Sequence, residues 1–243
     1  MKKVLVMGAT SGIGREIAVI FLRNGYDVGV AGRRQNLLDE LKQMSPSHVF
    51  TKTIDVSSSD AQERLHELIE EMGGVDIYVH SSGYGRQNTT LSSEINDKTV
   101  MTNVLGFTRM IDFMFKYFEE SKRHGQIAAI SSIAGTKGLG VASTYSASKR
   151  YQWTYIESLS QLASMKNVDV CFTDIRPGFV ATDFLSGDKY PMLLDKSFVA
   201  RKIVSAIQKE KRVVVIDWRY RVLCFFWRLI PSSIWRRLHI SNG

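Results

Sequence analysis

The chain has 243 residues, 44% of them hydrophobic and 23% charged, a composition that suits one α/β domain and excludes a disordered or fibrous polymer. The formal charge is +8, and five arginines (Arg219, Arg221, Arg228, Arg236, Arg237) without any acid sit in the last 26 residues, leaving +3 for the other 217. A nucleic-acid binder spreads its basic face over the folded body, so nucleic acid is not the expected partner, and two distant cysteines, Cys171 and Cys224, exclude a disulfide framework or a CxxC site.

Two lysines before a short apolar run superficially copy a signal peptide, but the run breaks at Gly8, so residues 4–7 are expected to form a first strand of a cytoplasmic protein. Helical spacing follows over 13–24, then a strand over 27–31, a helix over 37–44, a strand over 49–54, a helix over 61–72 and a strand over 77–79. The second half continues with a helix over 96–120, a strand over 126–130, a helix over 145–165, a strand over 169–175, a helix over 198–208 and a seventh strand over 213–216. Alternation of this kind means parallel strands with right-handed crossovers: an α/β fold, a doubly wound parallel sheet of seven strands. No linker, repeat or low-complexity segment interrupts it, so one domain is expected over 1–217, followed by a basic aromatic extension over 218–243.

Between the first strand and first helix stands Gly8-Ala9-Thr10-Ser11-Gly12-Ile13-Gly14. Glycines placed there let the backbone approach a pyrophosphate, whose charge is met by free N–H groups and the positive end of the helix dipole. The second strand ends in Gly32-Arg33-Arg34, where an NAD-selective site would carry a carboxylate for the ribose 2′-hydroxyl and a 2′-phosphate favours arginine; NADP(H) is therefore expected, with Arg33, the nearer to the strand, as the first contact. Further on, Ser131-Ser132 closes the fifth strand and Tyr145-Ser146-Ala147-Ser148-Lys149 opens a helix. Tyr and Lys at i, i+4 share a helix face, so the ammonium is expected to lower the phenol's pKa and make Tyr145 a general acid toward a carbonyl oxygen that Ser132 holds.

Together these motifs resemble the short-chain dehydrogenase/reductase family, over Lys2 to about Ile216. The resemblance implies a Rossmann-like fold and NADP(H)-dependent hydride transfer between the cofactor and a small-molecule carbonyl or alcohol substrate. It implies Gly8, Thr10, Ser11, Gly12, Ile13 and Gly14 around the pyrophosphate, Arg33 and Arg34 at the 2′-phosphate, and Asp55 and Val56 beside the adenine. Ser82 and Gly83 would follow the fourth strand, and Pro177, Gly178 and Thr182 would lie near the nicotinamide amide. The implied catalytic set is Asn103, Ser132, Tyr145 and Lys149: Tyr145 gives the proton, Ser132 orients the carbonyl, Lys149 grips the nicotinamide ribose, and Asn103 holds a water that relays protons to Lys149.

Two departures stand out. The family usually carries Asn-Asn-Ala-Gly after its fourth strand, where this chain has His80-Ser81-Ser82-Gly83, and Met7 replaces the usual opening threonine. His80, on a central strand, is expected to be a core histidine paired to backbone, and Met7 a local packing change. His48, His66, His124 and His239 are scattered, so no metal is expected. The row Phe107, Met110, Ile111, Met114, Phe115 and Phe118, with Trp153 and Tyr155, lies on the two long helices that commonly pair across a dimer in the family, or packs inward; a homodimer or homotetramer is expected.

After the seventh strand, Phe225-Phe226-Trp227 and Ile234-Trp235-Arg236-Arg237-Leu238, broken at Pro231, suit two short amphipathic helices at a lipid interface or a fold-back over the cleft. The longest apolar run, 222–227, is far below the ~20 residues needed to span a bilayer, so peripheral contact through 218–240 at the inner face of a membrane is expected. Such a tail, and an apolar lid over 183–197 with Phe184, Tyr190, Met192 and Leu193, favour a long-chain or lipophilic ketone, 3-ketosphinganine-like or steroid-like, both being substrate types of the family resembled. The alternative is a catalytically silent NADP(H)-binding sensor or scaffold, supported by the altered loop alone and opposed by the complete set Asn103, Ser132, Tyr145 and Lys149.

Overall fold

In the computed structural model, which describes residues 1–182 and 190–240, seven strands form one parallel sheet. They are β1 (Lys3–Met7), β2 (Asp27–Gly32), β3 (Val49–Thr53), β4 (Ile77–His80), β5 (Gly125–Ile130), β6 (Val170–Arg176) and β7 (Val213–Val215), in the spatial order β3-β2-β1-β4-β5-β6-β7. Side chains alternate across the sheet: Val4 and Val6 enter one core cluster with α1 (Gly12–Arg23), α2 (Gln35–Met44) and α7 (Lys196–Gln208). Leu5 and Met7 enter the other, with α3 (Ala61–Glu71), α5 (Phe107–Ser121) and α6 (Ser143–Lys166). Both faces are thus covered, as all-parallel sheets require. The strand order reverses between β1 and β4, and a crevice opens there at the carboxyl ends of the strands.

The helix expected over 96–120 is interrupted. Helix α4 (Ser93–Val100) runs into a wide π-helical turn at Met101–Gly106 before α5 begins. A Cβ on Gly106 would lie 2.6 Å from the Val56 carbonyl oxygen, so the helix presses against the end of β3's loop at this point. Insertions of this kind recur at functional sites because they re-aim one turn of side chains, and Asn103 sits inside this one.

The apolar row of α5 turns inward. Phe107, Met110, Ile111, Met114, Phe115 and Phe118 are all buried within a single protomer, as is Trp153 on α6, so this row is core packing and not a free dimer seam. At the C-terminus two helices stand on either side of Pro231, α8 (Trp218–Leu229) and α9 (Ser232–Trp235). Tyr220 and Cys224 on α8 are buried in the same core as β1 and α1. No described helix is long and apolar enough to cross a membrane.

Candidate active site

The turn after β1 is shaped by two positive-φ glycines, Gly8 at 89° and Gly12 at 57°, which other residues adopt only with strain. A Cβ on Gly8 would stand 2.7 Å from the Ser82 amide nitrogen, and one on Gly14 would collide with the Gly8 carbonyl. These contacts hold the turn against the end of β4 and bring the start of α1 to the crevice. The first turn of α1 carries no acidic residue, and its N-cap Ser11 makes no side-chain cap bond, so the positive end of the helix dipole faces the crevice.

Around this turn lies a cavity of about 530 Å³. It is lined by Gly8, Thr10, Ser11, Gly12, Ile13, Arg33, Arg34, Asp55, Val56, Ser82, Gly83, Ser132, Tyr145, Lys149, Pro177, Gly178 and Thr182. Gly14 and Asn103 stand behind that wall, the first as a packing glycine and the second fully buried. At the end of β2 it is Arg34, more than Arg33, that is tied to the turn: its Nη2 donates to Thr10 Oγ1 at 2.9 Å and to Ser11 Oγ at 2.6 Å. No carboxylate from β2's end lines the cavity; the nearest, Asp55 at the end of β3, accepts bonds from Ser57 N and Oγ. A cradle that a Cβ would fill, a bare helix N-terminus and paired arginines fit a dinucleotide with a 2′-phosphate.

On the opposite wall Ser132 closes β5, where its Oγ accepts from Ala134 N at 3.1 Å and its side chain is hydrogen-bonded to that of Tyr145. Burial pushes the Tyr145 phenol up to about 12, against a smaller opposing effect of the Ser132 bond. The expected lowering by Lys149 is therefore overturned. The ammonium sits 5.7 Å from the Tyr145 ring centroid, and loss of water around the phenolate outweighs its pull. Lys149 is itself pushed down to about 8 by burial, with Asp174's charge opposing. Its Nζ donates to Ile130 O at 3.1 Å and Gln152 Oε1 at 3.0 Å.

Asn103 is fully engaged as a brace. Its Oδ1 accepts from Tyr84 N at 2.8 Å, while Nδ2 donates to Tyr84 O at 2.7 Å and Ser148 Oγ at 3.0 Å. Its backbone carbonyl accepts from Gln152 Nε2 at 3.0 Å. The Gln152 side chain thus links the Asn103 carbonyl to Lys149, in addition to the relay water that the resemblance implies. Gln152 was missed by sequence reasoning, although a polar residue three positions after Lys149, on the buried face of α6, was a readable signal.

His80 is a core residue paired to backbone at Ser82, as expected, and has a side-chain partner besides: Nδ1 lies 2.9 Å from Tyr78 Oη. Burial, and secondarily the Lys149 charge, push its pKa down to about 3, with a backbone contact at Ser82 opposing. Met7 pairs beside it in the sheet and is fully buried. Apolar side chains also line the cavity, among them Leu139, Val141, Phe179, Met192, Leu223 and Trp227. Trp227 thus reaches the cleft, whereas Phe225 and Phe226, its expected companions, point to solvent. Of the expected lid, Tyr190, Met192 and Leu193 are described and Phe184 lies outside the described residues.

A family model described as short chain dehydrogenase matches residues 2–190. The chain is 31% identical to an "Uncharacterized oxidoreductase" of Myxococcus xanthus, over 96% of this chain and 94% of that one. Among solved structures, an actinorhodin polyketide ketoreductase variant with NADPH is 25% identical, with a TM-score of 0.74 over 88% of this chain and 95% of that one. ElxO with NADP bound, at 22% identity, superposes with a TM-score of 0.79 over 91% and 99% of the two chains.

Proposed function

The chain belongs to the short-chain dehydrogenase family, an oxidoreductase family, and from that premise we propose that it is an NADPH-dependent reductase of a lipophilic ketone. The observation that carries this reading is the meeting, in one cavity, of the hydrogen-bonded Ser132 and Tyr145 pair with a glycine turn flanked by Arg33 and Arg34. NADPH in a related ketoreductase and the apolar residues lining the cavity support the choice of cofactor and substrate.

Bound in the glycine turn, the dinucleotide supplies the hydride. Gly8, Thr10, Ser11, Gly12 and Ile13 would hold its pyrophosphate, with Gly14 packed behind, and Arg33 and Arg34 would meet the 2′-phosphate. Asp55 and Val56 would border the adenine, Ser82 and Gly83 would allow close approach, and Pro177, Gly178 and Thr182 would line the nicotinamide end, where Lys149 would hold the ribose; all of them line the cavity. Ser132 Oγ and Tyr145 Oη bind the substrate carbonyl oxygen. With its pKa pushed up to about 12, Tyr145 is protonated at neutral pH, the form a reductase needs, and would give its proton to that oxygen. Lys149, pushed down to about 8, is the stronger acid of the pair and would return a proton to the phenolate and be recharged from solvent, while Asn103 and Gln152 keep it in place. The protein is further proposed to be a cytoplasmic homo-oligomer whose 1–217 domain carries the chemistry and whose 218–240 segment contacts a membrane; two free cysteines suit that compartment.

Tyr145→Phe is expected to reduce turnover at least 100-fold while NADPH affinity, read by fluorescence titration, changes less than about threefold. Retained turnover would falsify the mechanism.

A further inference from the structure

Helix α8 is apolar on two opposite faces. Tyr220 and Cys224 are buried in the core, and Leu223 and Trp227 line the cavity. On the other side Trp218, Val222, Phe225 and Leu229, at i, i+4, i+7 and i+11, form a stripe that faces solvent at 69%, 46%, 60% and 62% exposure. Phe226 widens the stripe on one flank, and Ile234 and Leu238 extend it beyond Pro231. Arg221 and Arg228 border its other flank, with Arg236 and Arg237 following; all four are exposed. Among described residues from 218 onward there is no acid, and Asp217 just before them is occupied by Arg219 at 2.9 Å. An exposed apolar stripe of this length belongs against another apolar surface or medium, and among the described residues none covers it.

Resting on the reductase reading, we propose that the outer face of α8 and α9 is a docking surface for an anionic lipid bilayer, which seats the cavity mouth at the membrane so that a lipid-soluble ketone enters from it. Charge complementarity selects this occupant: exposed arginines beside an apolar stripe match acidic headgroups over acyl chains. A second copy of the chain suits the face poorly, because a two-fold contact would press the same arginines together. Twelve residues of helix are about 18 Å long, enough to lie in the interface and too short to cross it. The docked helix also reaches the substrate end of the cavity. Tyr220 Oη accepts from Phe179 N at 3.1 Å and donates toward Pro191 O and Met192 O, so α8 fixes the loop whose Phe179 and Met192 line the pocket.

The test is cosedimentation of the full chain with vesicles of phosphatidylcholine alone or mixed with phosphatidylglycerol, beside sedimentation velocity without vesicles. The chain is expected to sediment with the mixed vesicles at least about tenfold more than with phosphatidylcholine, and to release in high salt. Phe225→Ser with Phe226→Ser is expected to abolish that binding, and Arg221→Glu with Arg228→Glu to weaken it about tenfold or more, each leaving NADPH affinity and reduction of a water-soluble ketone unchanged. Equal sedimentation of wild type and the serine variant, or none with either, overturns the proposal. So does a serine variant that dissociates a wild-type dimer without altering vesicle binding. The readout requires no turnover: binding to anionic vesicles by a chain that reduces no ketone sinks the reductase reading alone, and the reverse sinks the docking surface alone.

Discussion

Lys149 on α6 and His80 on β4 are buried and Tyr145, on α6, is half-buried at the cavity wall, and loss of surrounding water pushes each of the three toward its neutral form. For His80 this has a consequence for stability. The imidazole titrates at 6.5 in the unfolded chain and only near 3 in the fold, so below pH 6.5 the unfolded state takes up a proton that the folded state refuses. Stability is unaffected above about pH 6.5 and falls progressively as pH drops toward 3; that gap is worth at most on the order of 5 kcal/mol. His80→Asn places the family's usual amide at the site and removes the titration. In urea unfolding at pH 7 and near pH 4.5, the wild type is expected to lose on the order of 2–3 kcal/mol more than the variant between the two conditions. Parallel losses would show that other groups govern acid unfolding.

The interrupted helix illustrates what pattern reading reaches at the scale of an element. Every strand and most helices follow from hydrophobic period, because the two core clusters demand it: Val4 and Val6 face one layer, Leu5 and Met7 the other. The π turn at Met101–Gly106 is not signalled by its own residues, and Gly106 within it packs close to the Val56 carbonyl, some fifty positions away in sequence. Likewise the glycine turn and the Tyr145–Lys149 spacing are written in consecutive residues, whereas the Gln152 link to Asn103 and the Tyr220 hold on the substrate loop exist only once distant segments pack. The inward use of the α5 row was equally hidden, as an apolar face does not announce whether its cover is the same chain or another copy. Gly106→Ala tests the close approach: a Cβ 2.6 Å from backbone oxygen forces the turn and Asn103 to shift. Overpacking of this kind costs about 1–3 kcal/mol, so a melting temperature several degrees lower and a reduced kcat are expected from calorimetry and steady-state kinetics. An unchanged variant would mean that the turn tolerates an ordinary α-helical geometry.

At the scale of the whole molecule, the cavity gathers residues from the ends of β1, β2, β4, β5 and β6, from α6 and from α8. No fragment of the chain assembles that surface, so a ligand bound there is bound by the folded state alone, and its binding free energy adds to folding stability. At a concentration a hundredfold above its Kd, NADPH is expected to contribute about 2.7 kcal/mol. A chain of 243 residues gains roughly 2–4 °C per kcal/mol, which converts to a melting temperature about 5–10 °C higher. At the same concentration NADH is expected to give a smaller shift, because no 2′-phosphate meets Arg33 and the Arg34 guanidinium that Thr10 and Ser11 hold at the turn. Replacing both arginines by alanine then brings the two shifts together by lowering the NADPH value more than that of NADH, which loses only the Arg34 support of Thr10 and Ser11. Equal shifts in the unaltered protein would remove the arginine pair as the source of cofactor choice, whereas a double variant that still prefers NADPH would move that choice elsewhere along the adenine end of the cavity.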